Sequence, residues 1–295
     1  MLNLNYDKLL EGKNAVVTSG AHGMGKYIAK VFARHGARVA INGLKSGSEG
    51  GDESAEALCK MTPGSFFKQC DMSKREDVES FIAEVLERFG HVDAVVNNCG
   101  INLNEPIEKL DDERYDRTIQ VNIRGVIRMA RGFIPGMIKA GGGTFVHISS
   151  VHSVSGIPFN FAYASSKAAI NGFSGALAAD YAKYNIRSNV INPGGIYSGN
   201  NDVILPEMLK DPKETLRQVE YFHNSQPDYA AGSSYDIGNT SLFLSCDMSR
   251  MVTGAVIMVD GAGVLQSQAL RNRRIPPDSD ELWLEHLGNR YTPFI

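Results

Sequence analysis

Several features are missing from this sequence, and each absence removes a class of function. No apolar run reaches the roughly 18–20 residues that span a bilayer, and the opening MLNLNYDKLLEGKN is too polar for a secretory signal. No membrane partner is expected, and a cytoplasmic location is the default. Positive charge is not in excess, since 30 Lys and Arg face 33 Asp and Glu for a net charge of -3. Without a broad basic surface to displace counterions, nucleic acid is not an expected partner; Arg271, Arg273 and Arg274 are the local exception. Cysteine is scarce. Cys59, Cys70, Cys99 and Cys246 are scattered, with no CxxC spacing and no histidines placed to complete a metal site, so they read as reduced thiols in or near the core and no metal is expected.

What the sequence does have is an alternation of short β-branched runs with longer amphipathic stretches, over a chain of 295 residues that is 43% hydrophobic. That composition supports a substantial core. Seven strands are predicted at 14–18, 38–42, 65–71, 93–97, 143–149, 187–192 and 255–260, each followed by a Gly, Asn or Ser cluster. Runs such as AVV, AVVNN and FVHIS are continuously apolar, as parallel strands covered on both faces require. Between them, 26–35 places Ile28, Ala29 and Phe32 on one helical face, and 74–89 repeats Val78, Ile82, Val85 and Leu86 at helical spacing. The expected fold is therefore α/β: a doubly wound, Rossmann-type three-layer sandwich around a seven-stranded parallel sheet. It is expected to form one domain over 1–263, with 264–295 as a C-terminal extension.

The first chemical signal is TSGAHGMG at 18–25, between the first strand and the first helix. Gly20, Gly23 and Gly25 allow a tight turn and a close approach to a pyrophosphate, whose charge the free N–H groups of a helix N-terminus stabilise. A glycine-rich turn with no ligand would select the same residues, so the loop gains weight only from its context. At the end of the second strand, where a carboxylate would accept from an adenosine ribose 2′-hydroxyl, the sequence reads INGLKSGS and places Gly43 and Leu44. No acid there repels a 2′-phosphate, and Lys45, Ser46, Ser48 and His22 are possible donors to one. The reading favours NADP(H), although a neutral pocket also admits NAD(H).

The second signal is Ser150, Tyr163 and Lys167. Tyr163 and Lys167 stand four apart in a predicted helix, on one face and one turn apart. A free phenol, with a pKa of about 10, is a poor base near neutrality, and an adjacent ammonium favours the phenolate. Lys167 is placed to activate Tyr163 in this way. Ser150 ends the FVHIS strand at the carboxyl end of the sheet, where open α/β sheets hold ligands, and can hydrogen-bond a reacting oxygen. A YxxxK pair alone is a common accident; joined to the glycine loop it forms an acid/base device for a carbonyl.

With these residues in view, the chain from about Leu10 to Gly263 resembles the short-chain dehydrogenase/reductase family. TSGAHGMG is similar to its TGxxxGxG loop, NNCG at 97–100 to its NNAG, VNIRG at 121–125 to the segment with its catalytic Asn, and YASSK to its YxxxK. Ser150 precedes Tyr163 by thirteen residues, a spacing familiar in the family. The resemblance implies hydride transfer between a nicotinamide cofactor and a small secondary alcohol or ketone, with Asn122, Ser150, Tyr163 and Lys167 as a catalytic tetrad. Tyr163 would exchange the proton, Ser150 hold the carbonyl oxygen, Lys167 also grip the nicotinamide ribose, and Asn122 hold a relay water. The resemblance also implies cofactor contacts from Ser19, Gly20, His22, Gly23, Met24, Gly25, Gly43, Lys45, Asp71 at the adenine edge, Met72, Asn98 and Gly100. Pro193, Gly194, Ile196 and Ser198 would meet the carboxamide.

Three departures stand out. Ser19 replaces the usual first glycine of the loop, Cys99 replaces the alanine of NNAG, and 264–295 extends past the point where many members end. That extension carries the only tryptophan, Trp283, with Leu282, Leu284 and Leu287 at helical spacing, so docking on the body or on a neighbouring subunit is expected. Substrate contacts are assigned to Ser150, His152, Phe159, Tyr163 and Gly195, with Ile157 and Phe161 as further walls, and a lid over 199–229 that includes Met208, Leu209, Leu216, Tyr221 and Phe222. Those apolar walls suggest a hydroxysteroid or another bulky ketone first, and 3-oxoacyl thioesters or polyols next. The family also implies a homo-oligomer, tetramer or dimer, in which the helix with Ala164, Ala168, Gly172, Gly175 and Ala176 meets a partner, although intrachain packing explains small residues equally well. A rival of another class is a non-catalytic nicotinamide sensor or scaffold on the same fold.

Overall fold

Parallel strands need crossovers, and the chain supplies them as helices on both faces of one sheet. The computed structural model describes residues 5–45, 51–103, 105–156, 158–197 and 232–265. In chain order these form β1 (Asn14–Val17), α1 (Gly23–Arg34), β2 (Arg38–Gly43), α2 (Gly51–Met61), β3 (Phe66–Gln69), α3 (Arg75–Phe89), β4 (Ala94–Asn97), α4 (Asp112–Ile119), α5 (Gly125–Ala140), β5 (Gly143–Ile148), α6 (Phe161–Tyr181), β6 (Ile186–Pro193), β7 (Ile196–Tyr197), β8 (Gly232–Ser233), α7 (Ser234–Ser245) and β9 (Val256–Val259). The sheet order is β3-β2-β1-β4-β5-β6-β9, every pairing parallel. All seven predicted strands are present. This is the doubly wound, Rossmann-type arrangement, and its strand order reverses between β1 and β4, where a crevice opens at the carboxyl ends.

Successive residues of a strand serve opposite faces, so Val16 and Val17 of β1 enter different cores. One contains Ile28 and Phe32 of α1 with Ile237 and Leu242 of α7; the other contains Phe81 and Val85 of α3 with Met129 and Phe133 of α5. Each such side chain, fully buried, contributes roughly 1.5–3 kcal/mol before chain entropy is counted. The helical face predicted from Ile28, Ala29 and Phe32 is fully buried, and Val78, Ile82 and Val85 follow the same pattern.

The structure differs from the predicted elements in three places. Helix α1 begins at Gly23 rather than at residue 26, because the loop glycines themselves make its first turn. β3 ends at Gln69, which leaves Asp71 in the loop beyond the strand. β7 and β8 pair through two residues each, too short for a periodic signal. Between α4 and α5, residues Gln120–Arg124 widen into a π-helical turn that carries Asn122. The predicted Ser46, Ser48, Ile157 and Ser198 contacts, the 199–229 lid and the extension from residue 266, including Trp283, lie outside the described residues.

Candidate active site

The loop after β1 is built with no room for a side chain at Gly20 or Gly25. Helix α1 has no acidic residue in its first turn, and His22 makes no side-chain cap, so its first N–H groups are not claimed by a carboxylate. A Cβ on Gly25 would lie 2.1 Å from the Ser19 carbonyl oxygen and 2.6 Å from Asn98 Nδ2, and one on Gly20 would lie 2.5 Å from Ile41 Cγ2. Ser19 holds a left-handed backbone at φ 53, a conformation that favours glycine. Two asparagines fix it there: Ser19 N–H donates to Asn42 Oδ1 at 2.8 Å, and Asn98 Nδ2 donates to the carbonyls of Thr18 at 3.1 Å and Ser19 at 3.4 Å. Thr18 Oγ1 in turn accepts from the backbone N–H groups of Asn98 and Cys99. A closely approaching backbone, a helix start without an acid and glycines with no room for a side chain fit a dinucleotide pyrophosphate.

The surrounding cofactor candidates sit along the same edge. Gly43 ends β2 with the Ala21 side chain and the Phe67 ring at van der Waals distance from where a Cβ would stand. His22 and Lys45 are exposed, and Met24 is half-buried. Met72 is buried and takes the second end of Asn42, whose Nδ2 lies 3.4 Å from its sulfur. Burial pushes the Asp71 carboxyl up, but hydrogen bonds from Ser73 and from Arg117, together with the Arg117 charge, more than offset this and hold it below its usual value. Pro193 ends β6, the Gly194 N–H donates to the Val259 carbonyl, and Ile196 pairs with Gly232, whose N–H donates to the Gly195 carbonyl.

Ser150, Tyr163, Lys167 and Asn122 come from three elements: the end of β5, the start of α6 and the π turn before α5. Ser150 follows β5, is 5% exposed, and its Oγ accepts from the His152 N–H at 3.1 Å. That bond uses a lone pair and leaves the hydroxyl proton free to donate. Tyr163 and Lys167 lie on the first two turns of α6, with Lys167 Nζ 5.5 Å from the Tyr163 ring centre. Lys167 is 3% exposed, and its ammonium donates to the Ile148 carbonyl at 2.8 Å, which ties it to the strand that leads to Ser150. A Cβ on Gly100 would sit 3.0 Å from that ammonium, so this glycine keeps the space beside it open. The Asn122 carboxamide is fully engaged: Oδ1 accepts from Ile101 N–H at 2.8 Å, and Nδ2 donates to the Ile101 carbonyl and to Ser166 Oγ, each at 2.9 Å. In this structure its side chain clamps the loop after β4 to α6.

Of the substrate candidates, His152 is half-buried and edge-on to Tyr163, with ring centres 6.5 Å apart. Burial lowers its pKa, against a smaller opposing effect of the Ser155 backbone, so it is neutral near pH 7. Phe159, with φ 62, is 60% exposed, and Phe161 stacks on Tyr115. Burial raises the Cys99 thiol to about 11 and Cys70 to about 12, in keeping with inert reduced thiols. Sequence reasoning missed Thr18, Asn42 and Arg117; only a polar Asn ending an apolar β2 run hinted at the second of these.

The model of the family described as enoyl-(acyl carrier protein) reductase matches residues 19–263. A 3-oxoacyl-[acyl-carrier-protein] reductase of Chlamydia muridarum is 35% identical over 258 residues, 86% of this chain and 98% of that protein. An uncharacterized oxidoreductase of Thermotoga maritima is 34% identical over 251 residues, 85% of this chain and 97% of its own. A D-beta-hydroxybutyrate dehydrogenase of Rhizobium meliloti is 30% identical over 256 residues, 86% and 99% of the two chains.

Proposed function

The chain belongs to the short-chain dehydrogenase/reductase family, as an NAD(P)-dependent oxidoreductase acting on CH–OH groups, and from that premise we propose that it interconverts a 3-oxo and a 3-hydroxy acyl compound. The single observation that carries the reading is Lys167, whose ammonium lies 5.5 Å from the Tyr163 ring centre and bonds the Ile148 carbonyl at 2.8 Å, two residues before Ser150. Residues 19–25 would hold a nicotinamide dinucleotide, which would supply the hydride in reduction and accept it in oxidation. Ser150 donates its free hydroxyl proton as a hydrogen bond to the substrate oxygen, so charge that develops there is stabilised. Tyr163 delivers the proton to that oxygen in reduction and removes it in oxidation. Lys167 holds a positive charge behind the phenol, and Asn122 fixes the loop bearing Ile101 against α6.

The names of the relatives move the substrate choice. One reduces 3-oxoacyl groups and another acts on β-hydroxybutyrate, so the second of the expected substrate classes now leads and the hydroxysteroid reading gains no support. A neutral His152 beside Tyr163 suits a polar wall for such a compound. NADP(H) is the proposed cofactor because Gly43 leaves no carboxylate at the end of β2. A homo-oligomer through α6 is proposed as well, and among the described residues no helix is long and apolar enough to cross a membrane.

The test is absorbance of NADPH and NADH against acetoacetyl-CoA, acetoacetate, polyols and cyclic ketones. Turnover of the 3-oxo compounds with NADPH is expected. Preference for NADH would overturn the cofactor choice, and turnover confined to steroids would overturn the substrate class. Tyr163→Phe is expected to lose at least about a hundredfold in kcat, the usual scale for a general acid, and to retain dinucleotide binding.

A further inference from the structure

We infer that Ser153 is a positioning residue that locks Ser150, α6 and the end of β6 into one geometry, so that turnover depends on a hydroxyl outside the catalytic set. The inference rests on the reductase reading above for its kinetic consequence, but not for its structural one. Ser153 lies in the short turn after β5, three residues past Ser150. Its Oγ donates to the Ser150 carbonyl at 2.6 Å, and its backbone N–H donates to the same oxygen at 3.0 Å. Two amides reach the hydroxyl from other elements: Asn171 Nδ2 of α6 at 3.0 Å and Asn192 Nδ2 of β6 at 2.9 Å.

The proton count fixes the direction of every bond in this cluster. A hydroxyl has one proton and two lone pairs. Oxygens 2.6 Å apart must share a proton, so the Ser153 proton goes to the Ser150 carbonyl. Both asparagines must then present N–H, which uses both lone pairs, and neither amide can turn round without displacing that proton. Among the described residues nothing donates to the buried Oδ1 atoms of Asn171 and Asn192, in keeping with their amino ends facing Ser153. Such an arrangement occupies the proton and both lone pairs of the Ser153 hydroxyl and fixes which end of each amide faces it.

The three elements so joined are the ones that carry the chemistry. Asn171 lies one turn beyond Lys167 on α6, and Asn192 immediately precedes Pro193 and Gly194. Through Ser153, the Ser150 backbone is therefore tied to the helix that presents the phenol and to the loop assigned to the carboxamide. Displacement of a catalytic group by a fraction of an ångström is costly because reacting geometry is narrow.

The experiment compares wild type with Ser153→Ala and Ser153→Thr. For Ser153→Ala, kcat on the best 3-oxo substrate is expected to fall about tenfold, the scale of a small misplacement, while the Kd for NADPH stays within about twofold. Ser153→Thr, which keeps the hydroxyl, is expected to recover most of the loss. Unchanged kcat in Ser153→Ala, or a loss that follows its Tm and is not recovered by Thr, overturns the inference. Should Ser153→Ala fail to fold, Asn171→Leu removes one donor from a half-buried position, and the same split between kcat and Kd decides. A wild type that reduces no carbonyl overturns the reductase reading instead. Hydrogen exchange then judges the lock: the amides of His152 and Ser153 should exchange about tenfold faster in Ser153→Ala, one lost hydrogen bond's worth, and an unchanged rate overturns it.

Discussion

At the scale of single residues, His147 shows how a polar group is kept in an apolar core. It is wholly buried on β5, stacked on Phe145 and edge-on to Phe173. Asn97 Nδ2, which can only donate, lies 3.1 Å from its Nδ1, so that nitrogen is the acceptor and the proton sits on Nε2 facing Ser188 Oγ at 3.2 Å. Ser188 continues the chain to Ser174 of α6 at 2.7 Å, which joins β4, β5, β6 and α6. Burial lowers the His147 pKa from 6.5 to about 3. The unfolded chain therefore binds a proton below pH 6.5 that the folded chain refuses, and stability must fall as pH falls through that window. Between pH 7 and pH 5 this residue should cost about 2 kcal/mol of unfolding free energy. Denaturant titrations at the two pH values should show that difference in wild type and lose it in His147→Asn; an equal difference in both proteins would mean that His147 is protonated or hydrated in place. A second residue prediction follows from Gly25. Its added Cβ in Gly25→Ala meets backbone 2.1 Å away, which no rotamer relieves, so the variant should lose about 1–3 kcal/mol of stability and bind NADPH at least about tenfold more weakly, measured by melting and nicotinamide fluorescence. Normal binding would show that the phosphate loop has slack.

At the scale of elements, the strands were legible because a buried parallel strand is an uninterrupted apolar run, and FVHIS or AVVNN has no other reading. YxxxK and the loop glycines were legible because their partners are local in sequence. What was not legible is held by long-range contacts: Asn42 reaches Ser19 across 23 residues, and Asn171 reaches Ser153 across 18. Nothing in the local pattern of QVNIR indicates a π turn, yet that turn is what places Asn122 against Ile101 and Ser166. The helix leading into it depends on a cap. Asp111 accepts from the Arg114 N–H at 2.7 Å, and the first turn of α4 carries Asp112 and Glu113 toward the positive end of the helix. Arg117, at its other end, bonds Asp71 and Ser73. Asp111→Ala should therefore cost about 1 kcal/mol and speed exchange first in α4, seen by denaturation and peptide-resolved hydrogen exchange. A loss confined to distant elements would show that packing, not the cap, starts this helix.

At the scale of the whole molecule, α6 presents a face of small residues that no described residue covers. Ala168, Gly172, Gly175, Ala176 and Ala179 recur at helical spacing and are all exposed, while Lys167, Ile170, Ser174 and Leu177 face inward. An exposed helix face is ordinarily charged, and each glycine within it costs about 0.5–1 kcal/mol relative to alanine. Among the described residues, space offers no reason for either glycine, because a Cβ at Gly172 or Gly175 would meet nothing within 4 Å. A second helix laid closely across this face would supply the reason, which is the proposed oligomer contact. The same open space suits a test, since a side chain added there meets none of the described residues. Gly175→Arg should fold with a Tm at least equal to that of a dissociated wild-type subunit and should reduce the mass measured by light scattering to that of a smaller assembly. A wild type that runs as a monomer, or a variant with unchanged mass, would remove α6 from the interface and leave its small residues without an account. Because Tyr163 and Lys167 lie on the same helix, a dissociated variant is also expected to lose part of its kcat, as the free helix no longer holds the phenol and ammonium as rigidly against Ser150.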